Sequence, residues 1–144
     1  MTLEQIQAAI PHRPPMLLLD EIIEHSHDSI VCRKVCGEHD FFFQGHYPGR
    51  PMVPGVILCE IALQAGAVLL ALSHPETTAG QGAVPVVTRI NNVKFKRMVS
   101  PGDVVQVDVQ IQERLANAFF LTARLTCEDK LTASLDFACT IAGD

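Results

Sequence analysis

The sequence predicts an α+β fold in which a curved antiparallel sheet wraps around one long apolar helix. Three observations carry this. Residues 56–72, VILCEIALQAGAVLLAL, are the most hydrophobic run of the chain and apolar on nearly every face, so a helix there needs protein all around it. The C-terminal half changes to period two, in the run VQVDVQIQ, in FFLTARLTC and in LTASLDFACTI, which is the spacing of strands with one buried and one wetter face. Finally, 144 residues with 48% hydrophobic and 19% charged side chains suit a single domain, 1–144, large enough to bury a core.

Thr2, with Gln5 three positions on, is an N-cap for a short helix that ends before Pro11. The segment PHRPP breaks the chain, MLLLDEIIEH reads as a strand, a turn falls near residues 27–29, and Ser29 to Val35 is a second strand. Pro54 and Gly55 precede the apolar run, proline being tolerated in a helical first turn because its missing N–H would lack a partner there anyway. The loop SHPETTAGQG marks the exit from the helix. In the meander, Val105, Val107, Val109 and Ile111 alternate with polar residues, and so do Leu121, Ala123 and Leu125 and the odd positions from Leu131 to Ile141. Short turns at LAN and EDK separate these runs. A sheet of about six strands, curved around the helix, buries both apolar surfaces.

Composition narrows the function classes. A net charge of −5 and a pI near 5.6 give no footprint for nucleic acid. The first residues lack the basic and apolar regions of a secretory signal. Five cysteines, an odd number without a CxxC pair, suit small apolar core residues in a reducing compartment, so cytoplasm is the expected location. The apolar run is near the lower length of a membrane span. It carries Glu60 and lacks basic anchors, which points instead to a buried helix of a soluble protein.

The chemistry concentrates in residues 41–64, FFFQGHYPGRPMVPGVILCEIALQ. Glu60 and Gln64 share a helical face. They form either a thin solvated stripe or a partly buried carboxyl, able to donate a proton and oriented by the Gln64 amide. His46 sits between Gly45 and Tyr47-Pro48-Gly49, a loop given fixed shape by residues that open or lock φ; Tyr47-Pro48 is a candidate cis peptide. At the helix start, N–H groups without partners carry partial positive charge, and Gly55 has no side chain to keep a substrate carbonyl from its N–H. The six scattered histidines show no ligand spacing, and this chemistry needs no metal or cofactor.

The stretch FFQGHYPGRPMVPGVILCEIALQ resembles the signature of 3-hydroxyacyl-[acyl-carrier-protein] dehydratases of the FabZ type, with PHRPPMLLLD and VKFKRMVSPGD similar to its flanking motifs in the same order. The resemblance implies a hot dog fold working as a dimer, often a trimer of dimers. It implies His46 and Glu60 as the catalytic pair, with the glutamate reaching the site from the partner subunit. A glutamate at position 60 matches the FabZ type rather than the isomerising FabA type, which has aspartate there. His46 would take the C2 proton of a 3-hydroxyacyl thioester, the Gly55 N–H would polarise its carbonyl, and Glu60 would protonate the departing hydroxyl. Pro54, Tyr47 and Gln64 would help to bind the substrate. Arg13, Lys94, Lys96 and Arg97 would contact the acidic carrier protein and its phosphopantetheine, or else be ordinary solvated charges. Where the family commonly has acidic residues and a proline, this chain has Asn91, Asn92 and Met98. An acyl thioesterase and a non-catalytic acyl-binding subunit are the alternatives that the same fold supports.

Overall fold

The computed structural model describes residues 2–76 and 84–142. In chain order it contains α1 (Leu3–Ala9), β1 (Glu21–His25), β2 (Ser29–Val35), a 3-10 turn (Phe41–Phe43), α2 (Gly55–Ser73), β3 (Val84–Phe95), β4 (Val104–Leu115), β5 (Ala118–Cys127) and β6 (Lys130–Ala142). The six strands form one antiparallel sheet in the order β1-β2-β4-β5-β6-β3. This is the expected α+β hot dog arrangement.

The alternation in the C-terminal half decides which side faces the helix. Val105, Val107 and Val109 of β4, Phe119, Leu121 and Leu125 of β5, and Leu135 and Phe137 of β6 are buried. They meet Leu58, Ile61, Ala62, Ala65, Val68 and Leu69 of α2 in one core. Gly66 sets how close helix and sheet come, because a Cβ there would lie 2.7 Å from the Phe137 ring. Among the described residues α2 is the one helix long and apolar enough to cross a membrane, but half of it is buried inside the protein. It is a core helix.

Three local expectations change. The residues MLLLD are not strand: β1 begins only at Glu21. Leu18 and Leu19 are buried, but the Leu18 N–H donates to Gln64 Oε1 at 2.8 Å, so that donor is taken by a helix side chain instead of a neighbouring strand. Pro54 is the N-cap of α2, one position before the first turn. The cis peptide among the described residues is Pro14-Pro15, and Tyr47-Pro48 is not cis. The loop there turns through positive φ at Gly45, Tyr47 and Gly49 instead. At α1 the Thr2 N–H donates to Gln5 Oε1 at 2.8 Å, the capping contact that the sequence predicts.

Candidate active site

The loop before α2 holds His46 by its ring. The imidazole Nδ1 lies 3.0 Å from the Met52 carbonyl oxygen. A carbonyl only accepts, so Nδ1 carries the proton and Nε2 keeps the lone pair of a base. The His46 N–H donates to Phe43 O at 3.2 Å, and the exposed Tyr47 ring stands edge-on to the imidazole with centroids 4.9 Å apart. Loop backbone therefore fixes both the position and the tautomer of His46.

Met52 also lines a cavity of about 380 Å³ at the N-terminal end of α2, together with Gly55, Leu58, Phe95, Lys96 and Arg97. The wall is mostly apolar with two cations in it, which suits a chain-bearing anionic ligand. Ile57 and Leu58 donate to Pro54 O, whereas the Gly55 N–H has no acceptor in the described structure. Gly55 is needed here for a second reason: a Cβ would lie 2.7 Å from Cζ of Phe95. The Phe95 ring packs flat on the bare Cα, so the glycine shapes the cavity wall as well as exposing the helix start.

One turn further along α2, Glu60 is 27% exposed at its side chain, so it is not part of a solvated stripe. Gln64 is buried, and each polar group of its amide is engaged: Nε2 donates to Glu60 Oε2 at 2.9 Å and to Met16 O at 2.7 Å, and Oε1 accepts from Leu18. Gln64 accordingly holds Glu60 and the 16–18 segment in place, with no free donor for a ligand. This departs from the expected substrate contact, because burial commits the amide to the protein.

Sequence reasoning missed His12. Its Nε2 lies 3.9 Å from Glu60 Oε2, and its Nδ1 is buried without a hydrogen-bond partner among the described residues. Only the fold brings the PHRPP segment against α2, far from it in sequence. In the same segment Arg13, one of the expected carrier contacts, is exposed and also engaged within the chain. Its guanidinium donates to the carbonyls of Gln7, Ile10 and His12 at 2.7–2.9 Å, clipping α1 to the segment. Lys94, Lys96 and Arg97 are exposed and make no ion pair among the described residues.

Within one chain no hydrogen bond or ion pair joins His46 to Glu60 among the described residues. The two groups face different neighbours, one the loop and the other the N-terminal segment.

A FabA-like domain model matches residues 10–136. A 3-hydroxyacyl-[acyl-carrier-protein] dehydratase FabZ of Streptococcus pyogenes is 39% identical over 141 residues, covering 96% of this chain and 99% of that protein. FabZ of Caulobacter vibrioides is 36% identical over 138 residues, covering 95% of this chain and 86% of the relative. Among solved structures, the dehydratase heterocomplex ApeI:P of Xenorhabdus doucetiae superposes with a TM-score of 0.82 at 16% identity, covering 96% of this chain and 91% of that one. A hypothetical thioesterase of Streptococcus pneumoniae with coenzyme A gives 0.67 at 13%, covering 86% of each chain. At such identities the structures speak for the fold alone, whereas the sequence relatives settle the lineage: the chain belongs to the FabA-like family, among the FabZ 3-hydroxyacyl-[acyl-carrier-protein] dehydratases.

Proposed function

We infer that the protein removes water from 3-hydroxyacyl-[acyl-carrier-protein] to give the trans-2-enoyl thioester in fatty acid biosynthesis, and that His46 and Glu60 move the protons. The observation that carries the mechanism is the His46 Nδ1 contact with Met52 O, which leaves Nε2 as the base. Nε2 takes the proton from C2, and the C–H pair becomes the C2–C3 double bond. The Gly55 N–H, at the positive end of α2, stabilises charge on the thioester oxygen. Glu60 gives its proton to the 3-hydroxyl as the C3–O bond breaks, and water leaves. Gln64 holds the carboxyl by one oxygen, Oε2, which His12 also faces, so that the other can face substrate. The 380 Å³ cavity receives the thioester end of the substrate, and Lys96 and Arg97 attract the pantetheine phosphate and the acidic carrier.

The working unit in this reading is a homodimer, able to assemble further into a trimer of dimers. The support is asymmetry between the sheet edges. The β1 edge is five residues long and carries Glu21, Glu24 and His25, the usual protection of an open edge. The β3 edge is twelve residues long and exposes Val86, Val87, Ile90, Val93 and Phe95. A second copy lying along β3 covers these side chains and brings a second α2 near the first, so that Glu60 of one chain can meet His46 of the other. A cytoplasmic location follows from the same reading: all five cysteines are free, and burial pushes the thiols of Cys32 and Cys36 up to about 12 and that of Cys139 to about 11, so they serve as inert core residues.

Incubation with 3-hydroxyacyl carrier protein, read by mass spectrometry, tests the function. Loss of one water with wild type, and a rate about 10²–10⁴ lower with Glu60→Gln, is the expected result. Release of free carrier thiol would make the protein a thioesterase. Unchanged substrate across several chain lengths would leave only an acyl-binding role.

A further inference from the structure

The far end of α2 carries a second group of reactive side chains, outside the site described above. His74 is the C-cap of the helix. The turn between β1 and β2 places His27 and Asp28 against it, and one ligand atom from each of the three lies within 4.8 Å of the others. The His27 and His74 rings are 4.5 Å apart at 50°. On its other side His74 meets Phe119 at 5.1 Å. Of its nitrogens, Nδ1 is 3.5 Å from Glu76 Oε1, and Nε2 is buried with no hydrogen-bond partner among the described residues.

The surroundings favour a cation. The last carbonyls of α2 give its C-terminus partial negative charge, and Asp28 adds a full one. Glu76 Oε1, already engaged by Arg114 at 2.9 Å, stands near Nδ1 of His74, the side on which a carboxylate leaves the other imidazole nitrogen for a metal. Two imidazoles and one carboxylate are the donor set of a borderline transition ion, and a poor one for calcium or magnesium, which prefer oxygen ligands. The observed spacing exceeds the roughly 3.4 Å between ligands in a tetrahedral zinc site with bonds near 2.1 Å. His27 and Asp28 are exposed and free to close that gap.

The turn is held in register for this. Ser73 Oγ donates to Ser26 O at 2.9 Å and meets His25 Nε2 at 2.7 Å, and Asp28 O accepts from Ile111 N. Hairpin and helix end are thus already docked, so little ordering remains for the ion to impose. We propose that His27, Asp28 and His74 form a surface site for one borderline divalent transition ion, zinc being the type, which clamps the β1–β2 turn to the end of α2. Glu60 lies fourteen residues back along the helix, roughly 21 Å away at 1.5 Å per residue, so the ion has no part in the dehydration chemistry.

The full protein is titrated with Co²⁺, followed by its visible absorption, and then with Zn²⁺ in competition. The expected result is one saturable equivalent per chain, displaced by Zn²⁺, with affinity about tenfold or more lower in His27→Gln. His39→Gln, which alters a histidine whose side chain is 93% exposed, should bind like wild type. Because His27 is exposed, its variant should keep the wild-type circular dichroism spectrum, and the thermal midpoint should rise with Zn²⁺ in wild type and in His39→Gln but not in His27→Gln. Absence of saturable binding, equal affinity in His27→Gln and wild type, or an equal loss in His39→Gln would each overturn the proposal.

Discussion

At the scale of single residues, the carboxyl of Glu60 shows how a group can be made ready without being sealed from water. Its Oε2 takes a hydrogen bond from Gln64 at 2.9 Å and faces His12 at 3.9 Å, so one oxygen is held while the other remains available. If His12 acts through Glu60 as a positioning residue, His12→Gln should lower kcat/KM by roughly fivefold, the worth of about 1 kcal/mol of lost interaction, with little change in KM. A purely structural role would lower the thermal midpoint and leave the pH profile of kcat unchanged. The informative result is therefore a shifted profile at an unchanged midpoint; an unaltered rate and profile would remove His12 from the mechanism. The pair Glu60 and Gln64 was legible in the sequence from their spacing of four, but His12 was not. Nothing in a linear reading places a residue of the first breaker segment against the middle of a helix.

At the scale of elements, legibility followed periodicity. The helix and the meander β4-β5-β6 could be read because α2 is apolar all round and Val105, Val107 and Val109 alternate strictly. Strand β3 could not. Its apolar residues Val86, Val87, Ile90, Val93 and Phe95 follow no period of two, because irregularities between Val87 and Arg89 and between Asn91 and Lys94 shift the register, and Asn92 sits at positive φ. Bulges of this kind re-aim side chains and erase the alternation. The glycines of α2 carry a related lesson: Gly66 is in the middle of a helix, where alanine would raise intrinsic helix stability by roughly 1 kcal/mol. The Phe137 ring, 2.7 Å from where a Cβ would stand, reverses the sign. Gly66→Ala should destabilise by about 1–3 kcal/mol, the usual cost of overpacking. Combined with Phe137→Leu, it should cost less than the sum of the two changes, since they share one contact. Additive losses in denaturant midpoints would mean that the ring moves aside freely.

At the scale of the whole molecule, the proposed mechanism asks for two chains. A base with its tautomer fixed, a carboxyl with its orientation fixed and a helix start with open N–H groups are all present. Yet no hydrogen bond or ion pair joins His46 to Glu60 among the described residues, and the long β3 edge exposes Val86, Val87, Ile90, Val93 and Phe95. Both facts fit the homodimer proposed above, with a second copy along β3, and that proposal makes a quantitative prediction. His46→Ala and Glu60→Ala should each be inactive as homodimers. When the two are unfolded together and refolded, a mixed dimer has one site lacking both groups and one site with both intact. Random pairing makes half of the dimers mixed, and half of their sites work, so activity should return to about a quarter of wild type. The mixture would stay inactive if each site drew both residues from its own chain, and the β3 edge would then need another explanation. Recovery that vanishes when Ile90→Asp is added to both chains would tie the composite site to that edge, because a charge at this exposed apolar position opposes pairing there without touching the core.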